Sequence, residues 1–298
     1  MGKRKRNKKL KNTVAAYLFM APALLILCTF VLFPVLFNIP LSLFDYSIIS
    51  EAKFVGLNNY RRAFSDPDFW TAMKNSILFV LCVPVLQLCS LLLALVVNQK
   101  LKGAAFFRVL FYIPVVTSMI AISIIWSFIF SPDGVINSWL IEQGIISRPI
   151  YFLADTRLAL PTLMFVTIWQ GLGYYMMLYL AGLQSVPMEL QEAARMDGAG
   201  RFQTFIKITV PMMKPYIWFC SLYSVLSALG VFDIVFAMTD GGPDKATLVM
   251  NLYTYKKAFG NFQFGYSAAS GLVMSVITTL FSCIIFLYGK RGGMKNEE

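Results

Sequence analysis

The feature that most constrains this chain is the spacing of its charges, because six long stretches contain none. Residues 12–44, 75–99, 109–132, 158–188, 215–232 and 258–289 are free of Asp, Glu, Lys and Arg. A helix needs about 20 apolar residues to cross roughly 30 Å of hydrocarbon. Near the centre of such a span one ionised side chain costs about 2.5–3.5 kcal/mol, whereas each Leu, Ile, Val or Phe contributes about −0.3 to −0.6 kcal/mol. With 58% hydrophobic and only 14% charged residues in 298, the chain has more apolar surface than one water-soluble core can hide. The pattern predicts an all-α integral membrane fold with six transmembrane helices, at about 14–37, 73–97, 107–130, 158–183, 215–238 and 266–288.

Basic residues set the orientation. Lys3, Arg4, Lys5, Arg6, Lys8, Lys9 and Lys11 form an amino-terminal arm (1–13), Lys100, Lys102 and Arg108 fall between spans two and three, and Lys290, Arg291 and Lys295 follow span six. Arg195, Arg201, Lys207 and Lys214 lie between spans four and five. The three opposite loops are poorer in Lys and Arg, so both termini are expected in the cytoplasm, with a tail at 291–298 after a transmembrane domain at 14–290. The net charge of +11 therefore reflects span ends and anionic headgroups rather than nucleic acid. The first apolar run is too long for a cleaved signal and should stay as an anchor. The five cysteines sit in apolar runs without C-x-x-C spacing, and there is no histidine, which argues against metal or histidine chemistry.

Local signals refine this outline. Pro22, Pro34 and Pro40 should bend or end the first helix. The external stretch 45–70 reads as a short surface helix, and 131–157 carries turn signals at Pro132-Asp133-Gly134 and at Pro149. Between spans four and five, segment 185–214 reads as helix-turn-helix: Pro187 starts a helix with Glu189 in its first turn, Gly198 and Gly200 break it, and a second helix from about Arg201 to Thr209 is closed by Pro211. Ala193 and Ala194 are small enough to admit a partner. An ordinary amphipathic loop on the headgroups is the plainer alternative.

The string Glu192-Ala193-Ala194, then Asp197-Gly198-Ala199, Gln203, Phe205, Ile208, Pro211 and Pro215, resembles the cytoplasmic motif of binding-protein-dependent ABC importer permeases. Val210 stands where that family usually has Leu. Phe232-Asp233-Ile234-Val235-Phe236-Ala237-Met238-Thr239-Asp240-Gly241-Gly242-Pro243 is similar to the carbohydrate branch, specifically the maltose- and glycerol-phosphate-type first permease subunit. Similarity extends through Ala21-Pro22-Ala23, residues 55–60, 181–184 and 253–259. The resemblance implies an ABC importer type I transmembrane domain whose 185–214 segment, through Glu192, Ala193, Ala194, Asp197, Gly198 and Pro211, seats a coupling helix in a separate ATPase. It also implies a second permease subunit, two ATP-binding subunits that hold ATP and Mg, and an extracytoplasmic sugar-binding protein. This chain would then be no enzyme and hold no cofactor, and it has no G-x-x-x-x-G-K-[ST] loop.

Sugars are held by aromatic faces together with amides, hydroxyls and acids. Trp169, Gln170, Tyr174 and Tyr175 in span four, Tyr223, Ser224 and Ser227 in span five, and Asp233 beyond it are the candidates for a substrate path. Interface belts and helix packing are the plainer explanations for such aromatics and serines. Gly241, Gly242 and Pro243 read as a turn. An ion- or proton-coupled secondary transporter is the rival reading, but such proteins carry intramembrane acids or paired charges, and here only Asp233 qualifies.

Overall fold

The computed structural model describes residues 2–48, 51–99 and 103–292, so that Lys100, Lys102 and Lys295 of the expected basic segments lie outside the described residues. The chain divides into two units, Met1–Ser65 with Lys256–Leu272, and Asp66–Tyr255 with Val273–Glu298. Among the described residues five helical stretches are long and apolar enough to cross a membrane, and one bent pair brings the number to six if the pair is a single span.

In the first unit, α1 (Gly2–Leu27) passes through Pro22, runs into a π-helical turn (Cys28–Leu32) and continues as α2 (Phe33–Leu41). The helix does not stop at Pro34. Proline has no N–H for the carbonyl four residues back and its ring crowds that carbonyl. Here the π turn widens the helix just before Pro34, with the Phe33 N–H reaching back to the Cys28 carbonyl. The span Ala15–Leu41 has no buried residue in this chain. Beyond it β1 (Phe44–Asp45) pairs antiparallel with β2 (Lys53–Phe54), a small departure from all-α, and α3 (Asn58–Ser65) is a short helix within the 45–70 stretch where one was expected. Buried Asn59 ties this segment together, its Nδ2 donating to the Ser42 and Phe44 carbonyls at 2.9 and 2.8 Å. Gly265 lies so close to the chain here that a Cβ would stand 1.9 Å from the Phe44 carbonyl oxygen.

The second unit opens with α4 (Pro67–Phe79) and α5 (Cys82–Asn98), together one span of 32 residues. It starts six residues before the expected 73, because Asp66 and Pro67 form an N-terminal cap, with Asp66 Oδ1 accepting from the Asp68 N–H at 2.9 Å. The third span is not the single straight helix expected at 107–130. It consists of α6 (Ala104–Val116) and α7 (Met119–Ile129), which meet at 99°. Thr117 and Ser118 are extended at the break, and the Thr117 hydroxyl takes the Ile113 carbonyl at 2.8 Å. A tight turn at Gly134 follows, where a Cβ would come within 2.3 Å of the Phe128 carbonyl oxygen, and α8 (Val135–Glu142) leads away from it.

The long helix α9 (Ala159–Gln184) packs on α5 and α6. Leu86, Ala94, Val97, Tyr175, Met176, Tyr179, Leu180 and Leu183 form the buried heart of the α5–α9 contact. Gly173 lets α6 approach α9 backbone to backbone, since a Cβ there would meet the Phe111 carbonyl oxygen at 1.9 Å. After α9 come α10 (Met188–Met196), α11 (Arg201–Thr204), a π turn (Phe205–Thr209), α12 (Val210–Met212) and α13 (Lys214–Leu229). The chain ends with α14 (Asp233–Met238), α15 (Met250–Tyr255) and α16 (Phe264–Gly292), the last running from the first unit into the second.

Candidate functional site

Four helices of the second unit enclose a cavity of about 340 Å³. Cys82 and Leu86 come from α5, Val115 from α6, Thr167, Gln170, Gly171, Tyr174 and Tyr175 from α9, and Tyr223, Ser224, Ser227 and Ala228 from α13. The volume is at the lower end of small-molecule sites, roughly 300–1,000 Å³. Six of the eight residues singled out in the sequence thus converge: Gln170, Tyr174, Tyr175, Tyr223, Ser224 and Ser227. The i, i+3, i+4 spacing of Gln170 with Tyr174 on α9, and of Ser224 with Ser227 on α13, places each set on one helical face.

The tyrosines make one wall. Tyr174 and Tyr175 meet edge to face at 5.2 Å between ring centroids, and Tyr223 crosses from α13 to within 5.5 Å of Tyr174. Opposite them, the bend between α6 and α7 has a chemical consequence: with Ser118 out of the helix, the Pro114 carbonyl lacks its usual helical donor, and Gln170 Nε2 approaches it at 3.5 Å. Gln170 therefore sits where side-chain amide and freed backbone carbonyl face the same space.

Behind the cavity lies a buried network that sequence reading missed. Gln87 Nε2 donates to the Ser224 hydroxyl at 2.8 Å and to the Cys220 carbonyl at 3.1 Å, while its Oε1 accepts from the Tyr179 hydroxyl. The Cys220 carbonyl accepts only, which fixes the orientation of the amide and hence the direction of every bond in the network. Ser224 in turn donates to the Ser221 carbonyl at 3.1 Å, so its remaining capacity toward the cavity is as an acceptor. The signal was present in the sequence: Gln87 is the one side-chain amide deep within the 75–99 run.

Two candidates lie elsewhere. Trp169 belongs to an aromatic cluster at the α7–α9 contact, 5.3 Å from Trp126, which also stacks on Phe130 and meets Phe165. It points away from the cavity because it precedes Gln170 by one residue, about 100° round the helix. Asp233 starts α14, where a carboxylate suits the positive end of the helix. Helix α13 stops at Gly230, whose carbonyl accepts from Asn251 Nδ2 at 2.8 Å, and Asp233, three residues further on, is not among the residues that line the cavity.

Next to α14 the chain turns at Gly241, Gly242 and Pro243 as expected, with the Gly242 N–H donating to the Thr239 carbonyl at 2.9 Å and the Thr247 hydroxyl donating to the Gly242 carbonyl at 2.7 Å. Asn75 and Ser76 of α4 bind this segment: Asn75 Nδ2 donates to the Leu248 carbonyl at 3.0 Å and Ser76 Oγ accepts from the Met250 N–H at 2.8 Å. Lys245 also donates to Asp68 at 2.7 Å, a bond that raises its ammonium above the usual lysine value.

The segment between α9 and α13 is built as helix, sharp turn and helix. Pro187 caps α10, and Gly198, at φ +82°, closes it with a Schellman pair, Ala199 N–H to the Ala194 carbonyl at 2.9 Å and Gly198 N–H to the Arg195 carbonyl at 3.1 Å. Gly200 N–H is taken by the Gln203 side chain at 3.2 Å as α11 begins. Pro211 does not close the second helix as expected. The π turn at Phe205–Thr209 widens the backbone before it, the same device as at Pro34, and helical structure continues to Met212. Glu192, Ala193, Asp197 and Gly198 are exposed, and so are the large apolar side chains of Met188, Met196 and Phe202.

A bundle of bilayer-length helices, a polar cavity between them and an exposed helical elbow are the features of a membrane permease. The chain belongs to the family of binding-protein-dependent transport system inner membrane components, whose pattern it matches over residues 87–291. It is 39% identical to the probable ABC transporter permease protein YurN of Bacillus subtilis, over 95% of this chain and 98% of that one. It is 36% identical to the lactose transport system permease protein LacF of Rhizobium radiobacter, over 92% and 93% respectively. Its fold matches a chain in the crystal structure of a bacterial ABC transporter involved in the import of the acidic polysaccharide alginate, with a TM-score of 0.84 at 21% identity, covering 96% of this chain and 99% of that one. It is thus a multi-pass inner-membrane permease of an ABC importer, and such subunits neither hydrolyse ATP nor carry a cofactor.

Proposed function

We propose that this chain is the permease subunit of an ATP-driven carbohydrate importer, and that the cavity between α5, α6, α9 and α13 is a station on the sugar's path. The observation that carries this reading is the lining itself: tyrosine faces, an amide and two serine hydroxyls converge within apolar spans. Aromatic faces suit the C–H surfaces of a sugar ring, and the amide and hydroxyls replace its water. Kinship with a lactose permease points to the same class of cargo. A proton- or ion-coupled mechanism is disfavoured because α5, α6, α7, α9 and α13 contain no Asp or Glu.

In this reading both termini and the 185–214 segment face the cytoplasm. Glu192, Ala193, Ala194, Asp197, Gly198 and Pro211 belong to the lever that meets one of two ATP-binding subunits, with Met196 and Phe202 supplying apolar contact. A second permease subunit completes the pathway, and an extracytoplasmic binding protein delivers the sugar. The test is uptake of labelled lactose, maltose and trehalose, with alginate oligosaccharides as an acidic control, in a deletion strain carrying the wild-type chain. ATP-dependent uptake of at least one neutral sugar, lost with Gly198→Pro while ATP hydrolysis persists, is the expected result. Uptake that survives removal of the ATPase overturns the reading.

A further inference from the structure

A second concavity of the same unit runs along α6. Arg108, Val109, Tyr112, Ile113 and Val116 line it with Met177 of α9, around about 310 Å³, and its walls are apolar. From Arg108 to Val116 the helix rises about 12 Å at 1.5 Å per residue, close to the roughly 15 Å depth of one hydrocarbon leaflet. Four residues precede Arg108 in α6, so its guanidinium lies near the end of the span while the groove reaches inward.

Arg108 is only partly exposed, and its Nε is enclosed without a hydrogen-bond partner. Its Nη2 reaches the Val97 carbonyl at the long distance of 3.4 Å. A guanidinium stays charged and offers five donors, so burying it without an anion is costly. No such anion comes from the helices around it. Neither α6 nor α5 and α9, which pack against it, contain Asp or Glu, and the sequence has no acid at all between Asp68 and Asp133. Among the described residues Arg108 has no acidic partner.

We propose that Arg108 and this groove hold an anionic phospholipid, the phosphate on the guanidinium and one acyl chain along Val109, Ile113 and Val116. Guanidinium and phosphate match as a bidentate pair. Apart from Tyr112 the groove below is lined by Val109, Ile113, Val116 and Met177, which suit a hydrocarbon chain and offer a sugar no hydrogen bond. Counting spans puts Arg108 on the same side as the basic arm, which in the orientation proposed above is the cytoplasmic leaflet, where anionic lipid attracts basic residues.

The test uses the whole complex, purified with its co-expressed subunits and incubated in detergent with dioleoylphosphatidylglycerol or dioleoylphosphatidylcholine, bound lipid being counted by native mass spectrometry. At about 1 kcal/mol per basic residue, the wild type should retain the anionic lipid about fivefold over the zwitterionic one, and Arg108→Gln should abolish that preference. Val116→Trp fills the groove and leaves the guanidinium in place, so it should lower retention of the anionic lipid even if Arg108→Gln fails to assemble. Equal retention of the two lipids by the wild type, or unchanged retention in Val116→Trp, overturns the proposal. So does a complex that binds neither lipid, since protein would then cover the groove. Lipid retention without sugar uptake would refute the sugar reading and leave this one standing.

Discussion

The cavity and the α6 groove are concavities of similar volume in one unit, about 340 and 310 Å³, yet their linings are opposites. The cavity gathers an amide, three tyrosines and two serines; the groove is carbon apart from Arg108 and Tyr112. In water, exposed polar groups say little because the solvent satisfies them. In hydrocarbon an unmatched polar group costs several kcal/mol, so polar lining marks a guest with hydroxyls and apolar lining marks a guest without them. The two sites teach that chemistry of the lining, rather than size, separates a sugar path from a lipid seat.

The strongest way to break this contrast is at Gly173, where α6 and α9 touch. The Cβ of Gly173→Ala would stand 1.9 Å from the Phe111 carbonyl oxygen, and backbone cannot rotate aside. Overpacking of this kind costs about 3 kcal/mol, enough to push α6 off α9 and spoil both sites together. Thermal unfolding in detergent should show a lower midpoint, with sugar uptake and lipid retention falling in parallel. Loss of one without the other would show that the α6–α9 seam does not shape both.

Gln87→Leu should act on the cavity alone. It removes three hydrogen bonds, from Tyr179 and to Ser224 and the Cys220 carbonyl, at about 0.6 kcal/mol each in a membrane interior, or about 2 kcal/mol in all. Ser224, which lines the cavity, would lose its fixed setting, so the half-saturating sugar concentration should rise more than the maximal rate falls, while lipid retention stays at the wild-type level. A smaller change is expected of Ser227→Ala, which removes one hydroxyl from the lining: about 1 kcal/mol, or roughly fivefold in half-saturation.

Much of the fold follows from where charges are absent, since five of the six charge-free runs coincide with helices long enough to cross a membrane and the sixth holds the bent pair α6 and α7. What escaped was local geometry. The 99° bend between α6 and α7 rests on Thr117 and Ser118, residues that also sit in straight helices, so no pattern announced it. Pro34 was expected to bend or end its helix and Pro211 to close one, because both expectations assume an α-helical backbone, whereas a π turn precedes each and helix continues past it. The cavity residues were legible as polar positions within apolar spans, but which face they share depends on packing. Gln170 turns inward and its neighbour Trp169 does not, and hydropathy cannot distinguish them. Gln87 was overlooked because attention fell on aromatic clusters, although a lone amide in mid-span must find partners.

Trp169 gives the finest test of the contrast, because the sequence makes it a candidate for the path and the structure places it outside the cavity. Its ring meets Trp126 edge to face at 5.3 Å, a pair worth about 0.5–1.5 kcal/mol beyond its buried area. Trp169→Leu should therefore lower the unfolding midpoint slightly and leave the half-saturating sugar concentration within about twofold of the wild type, a shift of under 0.5 kcal/mol. If half-saturation rose as far as in Ser227→Ala, sugar would have to pass the Trp126 cluster. The cavity would then be only part of a longer route between α7 and α9.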